Sequence, residues 1–215
     1  MQREERSAQG QRTRATIVRA AAQEIGRRGY AGTSLSDIAA VFGKPKTALR
    51  YHFGSKAELA IAVSEYQNGV WVAMVEEARQ SGRTGLAGVL SLFGAAILDS
   101  RREPYASAVL QMRVTRPETG LELPPIPFSW FEVAREYVDE ARELGELPTT
   151  SDSAAVTRML LDATFGAHQL RRAEALGKED MTGLWRHLLL GLGVTEPEAI
   201  IARTAPFTTG DPASD

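Results

Sequence analysis

The 215-residue sequence contains no cysteine. This absence excludes disulfide bonds, a thiolate metal site and a cysteine nucleophile, and it fits a cytoplasmic protein. The sequence also lacks an apolar run of the roughly 18 residues that span a bilayer, so we expect no membrane partner. The first residues, MQREERSAQGQRTR, are charged and contain no apolar segment of the kind that a signal peptide needs.

Residue types that carry catalysis are present, but they do not form a known catalytic pattern. The three histidines, His52, His168 and His187, have neither metal-ligand spacing nor a nucleophile motif beside them. Tyr66 and Tyr105 have no evident catalytic partner, and no glycine-rich phosphate loop is found. The sequence therefore predicts a protein that is not an enzyme and that uses no metal or other cofactor.

Charge is distributed unevenly along the chain. Residues 1–56 carry 11 Lys and Arg against four Asp and Glu, a net charge of +7, whereas residues 57–215 carry 14 against 23, a net charge of −9. A basic N-terminal segment on an acidic body indicates a polyanionic partner for that segment. A solvated basic tail would give the same count.

The spacing of apolar residues predicts helices almost throughout. Ile17, Ala21 and Ile25 recur at i, i+4 and i+8, and arginines fill the opposite side of the same segment. A glycine directly after two arginines favours a helix end at about residue 28. Because no alternating run flanked by hairpin turns is found, the fold class is predicted to be all-α.

Two short helices follow the first. Ser34 can cap a helix whose first turn contains Asp37, and Gly43 can end it. Pro45 can open the next helix, at about residues 45–52, because its missing N–H would be unpaired there in any case. Two helices with this short glycine turn between them predict a helix-turn-helix.

The second of these short helices has two different sides. Ala48, Leu49 and Phe53 supply an apolar side, which the helix needs because it is too short to be stable alone in water. In a helix-turn-helix such a helix enters the major groove, where lysine or arginine can donate to guanine and threonine can contact a thymine methyl. The alternative is three core helices with a solvated basic face. The residues expected to face outward are Lys44, Lys46, Thr47, Arg50 and Tyr51.

The segment RRGYAGTSLSDIAAVFGKPKTALRYHFGSKAEL resembles the N-terminal domain of the tetracycline-repressor (TetR) family of one-component regulators. It combines Gly-Tyr before the second helix, Asp-Ile-Ala within it, Lys-x-x-Leu-x-Tyr-His-Phe, and then Ser-Lys-x-Glu-Leu, over about residues 11–60. The resemblance implies binding to double-stranded operator DNA, with Lys46 and Thr47 toward the bases. It places four further side chains toward phosphates: Ser34, Tyr51, His52 and Lys56.

Three positions depart from the family pattern. Lys44 replaces a small apolar residue, Pro45 stands where Ser or Thr is common, and Arg50 replaces an aromatic residue. These departures bear on which operator is read or on how strongly it is bound.

The rest of the chain is predicted to be a helical ligand-binding and dimerisation domain at residues 56–203, after a helix-turn-helix domain at 10–55. Residues 1–9 and 204–215 are predicted to be a disordered arm and tail. Ser55 with Glu58, and Thr195 with Glu198, have capping-box spacing. Helices are expected near residues 56–80, 85–100, 104–114, 129–144, 151–176, 181–193 and 196–203.

The last two long helices are strongly apolar. Residues 151–176 and 181–193 can form a four-helix interface between two copies of the chain. The alternative is that both helices are buried within one monomer. The family builds its dimer from its last long helices, so the resemblance implies a homodimer.

A proline-rich run precedes an aromatic cluster in the stretch ELPPIPFSWFEVAREYV. With ASAVLQMR and GLWRHLLLGLG, this stretch resembles the γ-butyrolactone autoregulator receptors of streptomycete-type actinobacteria. The resemblance implies that Trp130 and Gln111 contact a small, lactone-like effector. An apolar cavity with few polar groups would suit such a ligand, and its further walls are predicted to be Trp71, Phe93, Met112 and Phe165. Each of these aromatic residues can equally be plain core.

These features together predict a dimeric repressor that binds a palindromic operator and is released by a γ-butyrolactone, butenolide or furan autoregulator that controls secondary metabolism. One alternative is a TetR-type repressor of an efflux or antibiotic-resistance gene that responds to a lipophilic drug or to the antibiotic itself. Another is an all-α scaffold protein whose basic segment is only solvated surface.

Overall fold

The computed structural model describes the backbone of residues 2–172 and 181–204, with side chains described for residues 8–169 and 181–204. This part of the chain contains eleven helices and no strand, which confirms the all-α prediction. The helices are α1 Gln2–Arg28, α2 Leu35–Phe42, α3 Lys46–His52, α4 Lys56–Gln80, α5 Gly85–Arg102, α6 Pro104–Val114, α7 Arg116–Thr119, α8 Trp130–Glu143, α9 Ser153–Arg172, α10 Met181–Gly191 and α11 Pro197–Ala202.

The two ends of the chain were predicted to be disordered. The first helix begins at Gln2, so residues 2–9 are helical rather than the predicted disordered arm. Gln, Arg, Glu and Ala in this segment have high helix propensity and no proline interrupts them, which allows the helix to extend upstream. The tail was predicted at 204–215, and its residues 205–215 lie outside the described residues, as do residues 173–176 of the predicted helix.

Two helix starts also differ from prediction. Pro45 is the N-cap of α3 and not its first residue. The Thr195–Glu198 capping box is wrong: α11 begins at Pro197 without a side-chain cap, and Glu198 instead pairs with Arg186. Glu196 is the N-cap of this helix, so Thr195 lies one residue too early to cap it. The single-turn helix α7 was not predicted.

The chain divides into two compact units, and the division differs from the predicted boundary at residue 56. Unit 1 contains the chain through Trp71 together with Asp99–Ile126, and unit 2 contains Val72–Leu98 and the chain from Pro127 onward. Helices α4 and α5 therefore contribute residues to both units. The helix-turn-helix segment shares unit 1 with α6, whereas the sequence predicts α6 within the ligand-binding domain.

Unit 1 is held together by α1, which packs against both α2 and α6. Its predicted apolar stripe, Ile17, Ala21 and Ile25, is fully buried. Helix α6 passes Gly26 at ordinary packing distance, since a Cβ atom there would lie 3.7 Å from the Pro104 carbonyl oxygen. The stripe is thus part of the buried core of unit 1.

Unit 2 is built around α5, α8, α9 and α10, whose apolar residues form one buried cluster. Two carboxylates bind the start of α5: Glu140 Oε2 accepts from the Gly85 N–H at 2.9 Å, and Glu146 Oε2 accepts from the Leu86 N–H at 2.8 Å. These bonds satisfy amide groups that a helix start otherwise leaves unpaired. They fix where α5 begins relative to the end of α8.

Candidate nucleic-acid interface

The start and the end of α2 are fixed by its caps. The Asp37 N–H donates to Ser34 Oγ at 3.2 Å, and the Ser34 N–H donates to Asp37 Oδ2 at 2.8 Å, which completes a capping box. Hydrogen bonds from the Ser34 side chain and backbone lower the pKa of Asp37, and Arg28 and Arg27 add to the effect. Gly43 ends α2 in the left-handed conformation at φ 74°, which a glycine adopts without steric cost. The predicted caps are confirmed.

Helix α3 packs against the rest of unit 1 through one side only. Leu49 is fully buried and Phe53, directly after the helix, is 2% exposed, while Ala48 is half-buried. The Arg14 guanidinium lies 4.4 Å from the centre of the Phe53 ring, so a cation on α1 covers the outer face of this anchor. The opposite side of α3 is left to solvent.

The solvent side of α3 and the turn before it carry the residues predicted to face outward, toward DNA. Residues one turn apart share this face, because helical neighbours at i and i+4 lie above one another. Tyr51 is 87% exposed, and its ring contacts His52 edge-on at 5.2 Å between centroids. The structure therefore brings the outward set together on one exposed surface, and we call it the α3 face: Lys44, Lys46, Thr47, Arg50 and Tyr51.

Cations of the α3 face differ from the other cations nearby. Arg27 and Arg28 pair with Glu24, which is 7% exposed in its side chain, and Arg28 also pairs with Asp37 at 3.1 Å. Among the described residues, the positively charged side chains of the α3 face form no ion pair with an acidic group. No acidic side chain in the described part of the chain neutralises their charge, whereas the charge at the end of α1 is neutralised internally.

Two of the side chains predicted to contact phosphate are engaged within the protein. Ser34 Oγ serves the α2 cap. The Lys56 ammonium donates to the carbonyl oxygens of Tyr30 and Thr33, each at 2.8 Å, and lies 4.2 Å from the centre of the Tyr30 ring. Burial lowers the pKa of Lys56.

The predicted effector residues are divided between the units. In unit 2, Trp130 lies 6.2 Å from Phe165 and 5.0 Å from Phe128, measured between ring centroids, and Phe165 lies 5.6 Å from Phe93. Ser129 caps α8 by accepting from a backbone N–H at 3.3 Å, which fixes the residue before the indole. The structure thus brings Trp130, Phe165 and Phe93 together as one aromatic group.

In unit 1, Trp71 and Met112 are buried. Gln111 faces the end of α1: its Nε2 atom lies 3.3 Å from the position that a Cβ atom would take at Gly29. Among the described residues, the Gln111 Oε1 atom is buried without a hydrogen-bond partner. An unpaired buried acceptor is costly and favours a ligand or water that supplies a donor.

Sequence reasoning missed a second polar group in unit 1, on α4. Ser64 Oγ, Gln67 Oε1 and Asn68 Oδ1 are buried, and within the described residues none has a hydrogen-bond partner. The amide nitrogens are occupied, because Gln67 donates to Asp99 at 2.7 Å and Asn68 donates to the Pro125 carbonyl at 2.9 Å. Three polar residues within two turns of an otherwise apolar helix face are the signal that could have found them.

The proline-rich run is held to unit 1 by side chains. Asn68 binds the Pro125 carbonyl, and Arg113 donates to the Pro124 carbonyl at 2.7 Å. Burial lowers the pKa of Arg113, followed by repulsion from Arg116. Two bonds to neighbouring carbonyls fix the path of this loop, since prolines offer no N–H for backbone pairing.

The part of the chain that the structure describes contains no helix with the length and apolar character needed to cross a bilayer. It also contains no group of three or more His, Cys, Asp or Glu side chains placed to hold a metal ion.

Comparison with known proteins gives local matches and, among solved structures, matches over most of the chain. The family described as "Bacterial regulatory proteins, tetR family" matches residues 17–63. The HTH-type transcriptional regulator TtgR of Pseudomonas putida is 44% identical over 55 residues, or 26% of each chain. The chain therefore spans about a quarter of the length of this curated relative.

Solved structures match over most of their length. A structure on the control of antibiotic production by bacterial hormones is 31% identical, covering 89% of this chain and 97% of the other with a TM-score of 0.63. A γ-butyrolactone receptor described as ArpA-like is 26% identical over 91% and 97%, with a TM-score of 0.75. CprB of Streptomyces coelicolor in complex with its operator is 27% identical over 91% and 97%, with a TM-score of 0.67. The chain belongs to the TetR family of bacterial regulatory proteins, which are transcriptional regulators and not enzymes.

Proposed function

We propose that this protein is a dimeric repressor that binds a palindromic operator and is released by a small signalling molecule. The observation that carries the proposal is the α3 face: exposed cations without acidic partners lie opposite the buried Leu49 on a helix-turn-helix. A polyanion with a groove about as wide as a helix fits this surface. Because operator DNA lies in the cytoplasm, we assign the protein to that compartment.

Similarity to CprB with its operator supports the DNA partner. Phosphate contacts make such binding depend steeply on salt, and the logarithm of the affinity falls by about 0.9 per phosphate neutralised for each tenfold rise in salt. The Lys46 and Thr47 side chains are both exposed and lie at the start of α3. Side chains near the N-terminus of a recognition helix contact base edges, so these two are proposed to read sequence.

We further propose a homodimer through α9 and α10, supported by membership of a family whose members bind DNA as dimers and by exposed apolar residues on both helices. Met159 on α9 is 37% exposed and Leu190 on α10 is 52% exposed. Isologous pairing of these faces would bury them and place two α3 helices for half-sites about 34–36 Å apart. Sedimentation of the purified protein tests this, and a monomer at micromolar concentration would contradict it.

The effector is proposed to be a lactone-like molecule of the γ-butyrolactone, butenolide or furan type. Support comes from the full-length similarity to a γ-butyrolactone receptor and from the aromatic group of Trp130, Phe165 and Phe93, which suits an alkyl arm. Release requires that the effector bind one conformation better than the other, because equal affinity shifts nothing. We propose α4 as the lever, since it contributes residues to both units.

The DNA proposal is tested with duplexes selected by this protein from random sequence. Wild type should enrich a palindrome and show steep salt dependence. Lys46→Ala should weaken binding and relax base preference, and Arg101→Ala, an exposed cation on α5, should do neither. Failure of wild type to select any palindrome would favour the scaffold alternative.

The effector proposal is tested by calorimetry with γ-alkyl-γ-butyrolactones and butenolides, and with cationic dyes as the comparison set. Trp130→Ala should weaken lactone binding about tenfold or more, because an aromatic side chain loses most of its contact area. Phe131→Ala, the neighbouring aromatic under Arg158 at 4.9 Å, serves as the matched control. Tight dye binding without lactone binding would favour the efflux-type regulator.

A further inference from the structure

The first residue of α4 faces the end of α1. The Lys56 Nζ atom donates to the carbonyl oxygens of Tyr30 and Thr33, and it stacks on the Tyr30 ring. A cation in the first turn of its own helix is unfavourable, because the helix N-terminus carries partial positive charge. The same cation is favourable beside carbonyl oxygens just beyond the C-terminus of α1. Two hydrogen bonds use two of the three N–H groups of the ammonium.

The turn that Lys56 binds is itself fixed to α1. The Thr33 hydroxyl donates to the Gly29 carbonyl at 2.8 Å and lies 3.2 Å from the Glu24 carbonyl, while its N–H donates to the Tyr30 carbonyl at 3.3 Å. Thr33 is 2% exposed. Because these bonds hold the turn, a displacement of the carbonyl oxygens that Lys56 binds moves the whole turn.

Helix α2 begins directly after this turn. Ser34 follows Thr33 and is the capping residue of α2, and α2 leads to α3 through the single left-handed Gly43. A shift at the Thr33 carbonyl therefore moves the start of α2, and α3 moves with it. Three short connections join the first turn of α4 to the α3 face, all within unit 1.

We propose that Lys56 is a positioning residue that docks the first turn of α4 on the turn before α2 and so sets the orientation of the α3 face. It acts through protein carbonyls and not through a phosphate. This inference rests on the proposed DNA-binding function and concerns only how the helix-turn-helix is held. The lowered pKa of Lys56 agrees with an ammonium withdrawn from solvent.

A phosphate contact and a docking contact have different signatures in salt titrations. Loss of a phosphate contact lowers the slope of log affinity against log salt by about one for each contact, or about two for a dimer. Loss of a docking contact lowers affinity at every salt concentration and leaves the slope unchanged. Lys44 provides the matched control, since it is an exposed lysine of the α3 face.

The experiment compares Lys56→Met with Lys44→Met in the full-length chain, using the palindromic duplex that wild type selects. We expect Lys56→Met to lose about tenfold in affinity with the wild-type slope, because charge-assisted hydrogen bonds are strong. Lys44→Met should flatten the slope. Hydrogen exchange of free Lys56→Met should quicken at the amides of Thr33 and of the first turn of α2, with no matching change in Lys44→Met.

A double-mutant cycle separates docking from a general loss of stability. Tyr30→Leu removes the ring under the ammonium, so its effect on affinity should be strongly non-additive with Lys56→Met. A flattened slope in Lys56→Met would overturn the inference in favour of a phosphate contact. So would unchanged affinity below the unfolding transition, or full additivity with Tyr30→Leu. If wild type selects no palindrome, the proposed function fails and not the docking contact alone.

Discussion

Substitution of Gly88 by alanine tests the close packing of α5 against α8 in unit 2. Gly88 lies in α5, and a Cβ atom there would lie 2.5 Å from Cδ1 and 2.6 Å from Cε1 of Tyr137, and 3.0 Å from the Arg83 carbonyl oxygen. Carbon atoms normally approach to about 3.5–4.0 Å, so one side must move by about 1 Å. Tyr137 is 7% exposed on α8 and belongs to the buried cluster, so its ring has no free space to enter.

The expected cost follows from two opposing terms. Overpacking of a dense core costs about 1–3 kcal/mol, and we take the upper end because one contact is a buried ring and the other is backbone. The higher helix propensity of alanine offsets about 1 kcal/mol of this loss in the free energy of unfolding. The net loss is about 2 kcal/mol, which lowers the midpoint of thermal unfolding by about 4–8 °C in a chain of this size.

Gly69→Ala is the matched control. Gly69 is an exposed helical glycine on α4, and a Cβ atom there would have no neighbour within 4 Å. We expect this variant to gain about 0.5–1 kcal/mol from helix propensity alone. Thermal unfolding followed by circular dichroism at the helix band measures both. If Gly88→Ala unfolds at or above the wild-type temperature while Gly69→Ala behaves as expected, the Tyr137 ring has room for the added methyl group and the packing is not as tight as stated.

Three further predictions concern polar contacts. Burial raises the pKa of Asp99 in the folded protein, although the hydrogen bond from Gln67 opposes this shift. Stability is therefore lost as the pH rises from the pKa of the unfolded chain through the higher pKa of the folded protein, because the buried carboxyl group must ionise. Asp99→Asn should raise the unfolding midpoint at pH 7 and should lose that advantage near pH 4. Glu146→Ala leaves the Leu86 N–H without its acceptor and should cost about 1–3 kcal/mol in denaturant unfolding; an unchanged midpoint would contradict the bond. Ser34→Ala removes the α2 cap and should cost about 1 kcal/mol, visible as faster amide exchange in α2, whereas unchanged exchange would show that the cap contributes little.

Features that depend on neighbouring residues in the chain could be predicted from the sequence. The Ser34–Asp37 capping box, the left-handed Gly43 and the inward Leu49 all follow from short-range spacing, and the structure agrees with each. The outward direction of Lys46 and Arg50 follows in the same way, because a helix places residues four apart on one side. The failed Thr195 cap shows the limit of this reasoning, since Glu198 pairs with Arg186 twelve residues away.

Short-range patterns in the sequence predict that the chain is helical, that a helix-turn-helix lies near its start, and that a cationic side of α3 faces outward. Tertiary structure alone decided that α6 packs on α1, that Gln111 faces Gly29, and that Lys56 is engaged by the carbonyls of Tyr30 and Thr33. The physical reason is range: caps and amphipathic faces are set by residues within about four positions, whereas Lys56 meets its partners 23 and 26 residues away. No short-range pattern in the sequence shows which lysine binds backbone carbonyls within the protein and which lysine stays exposed.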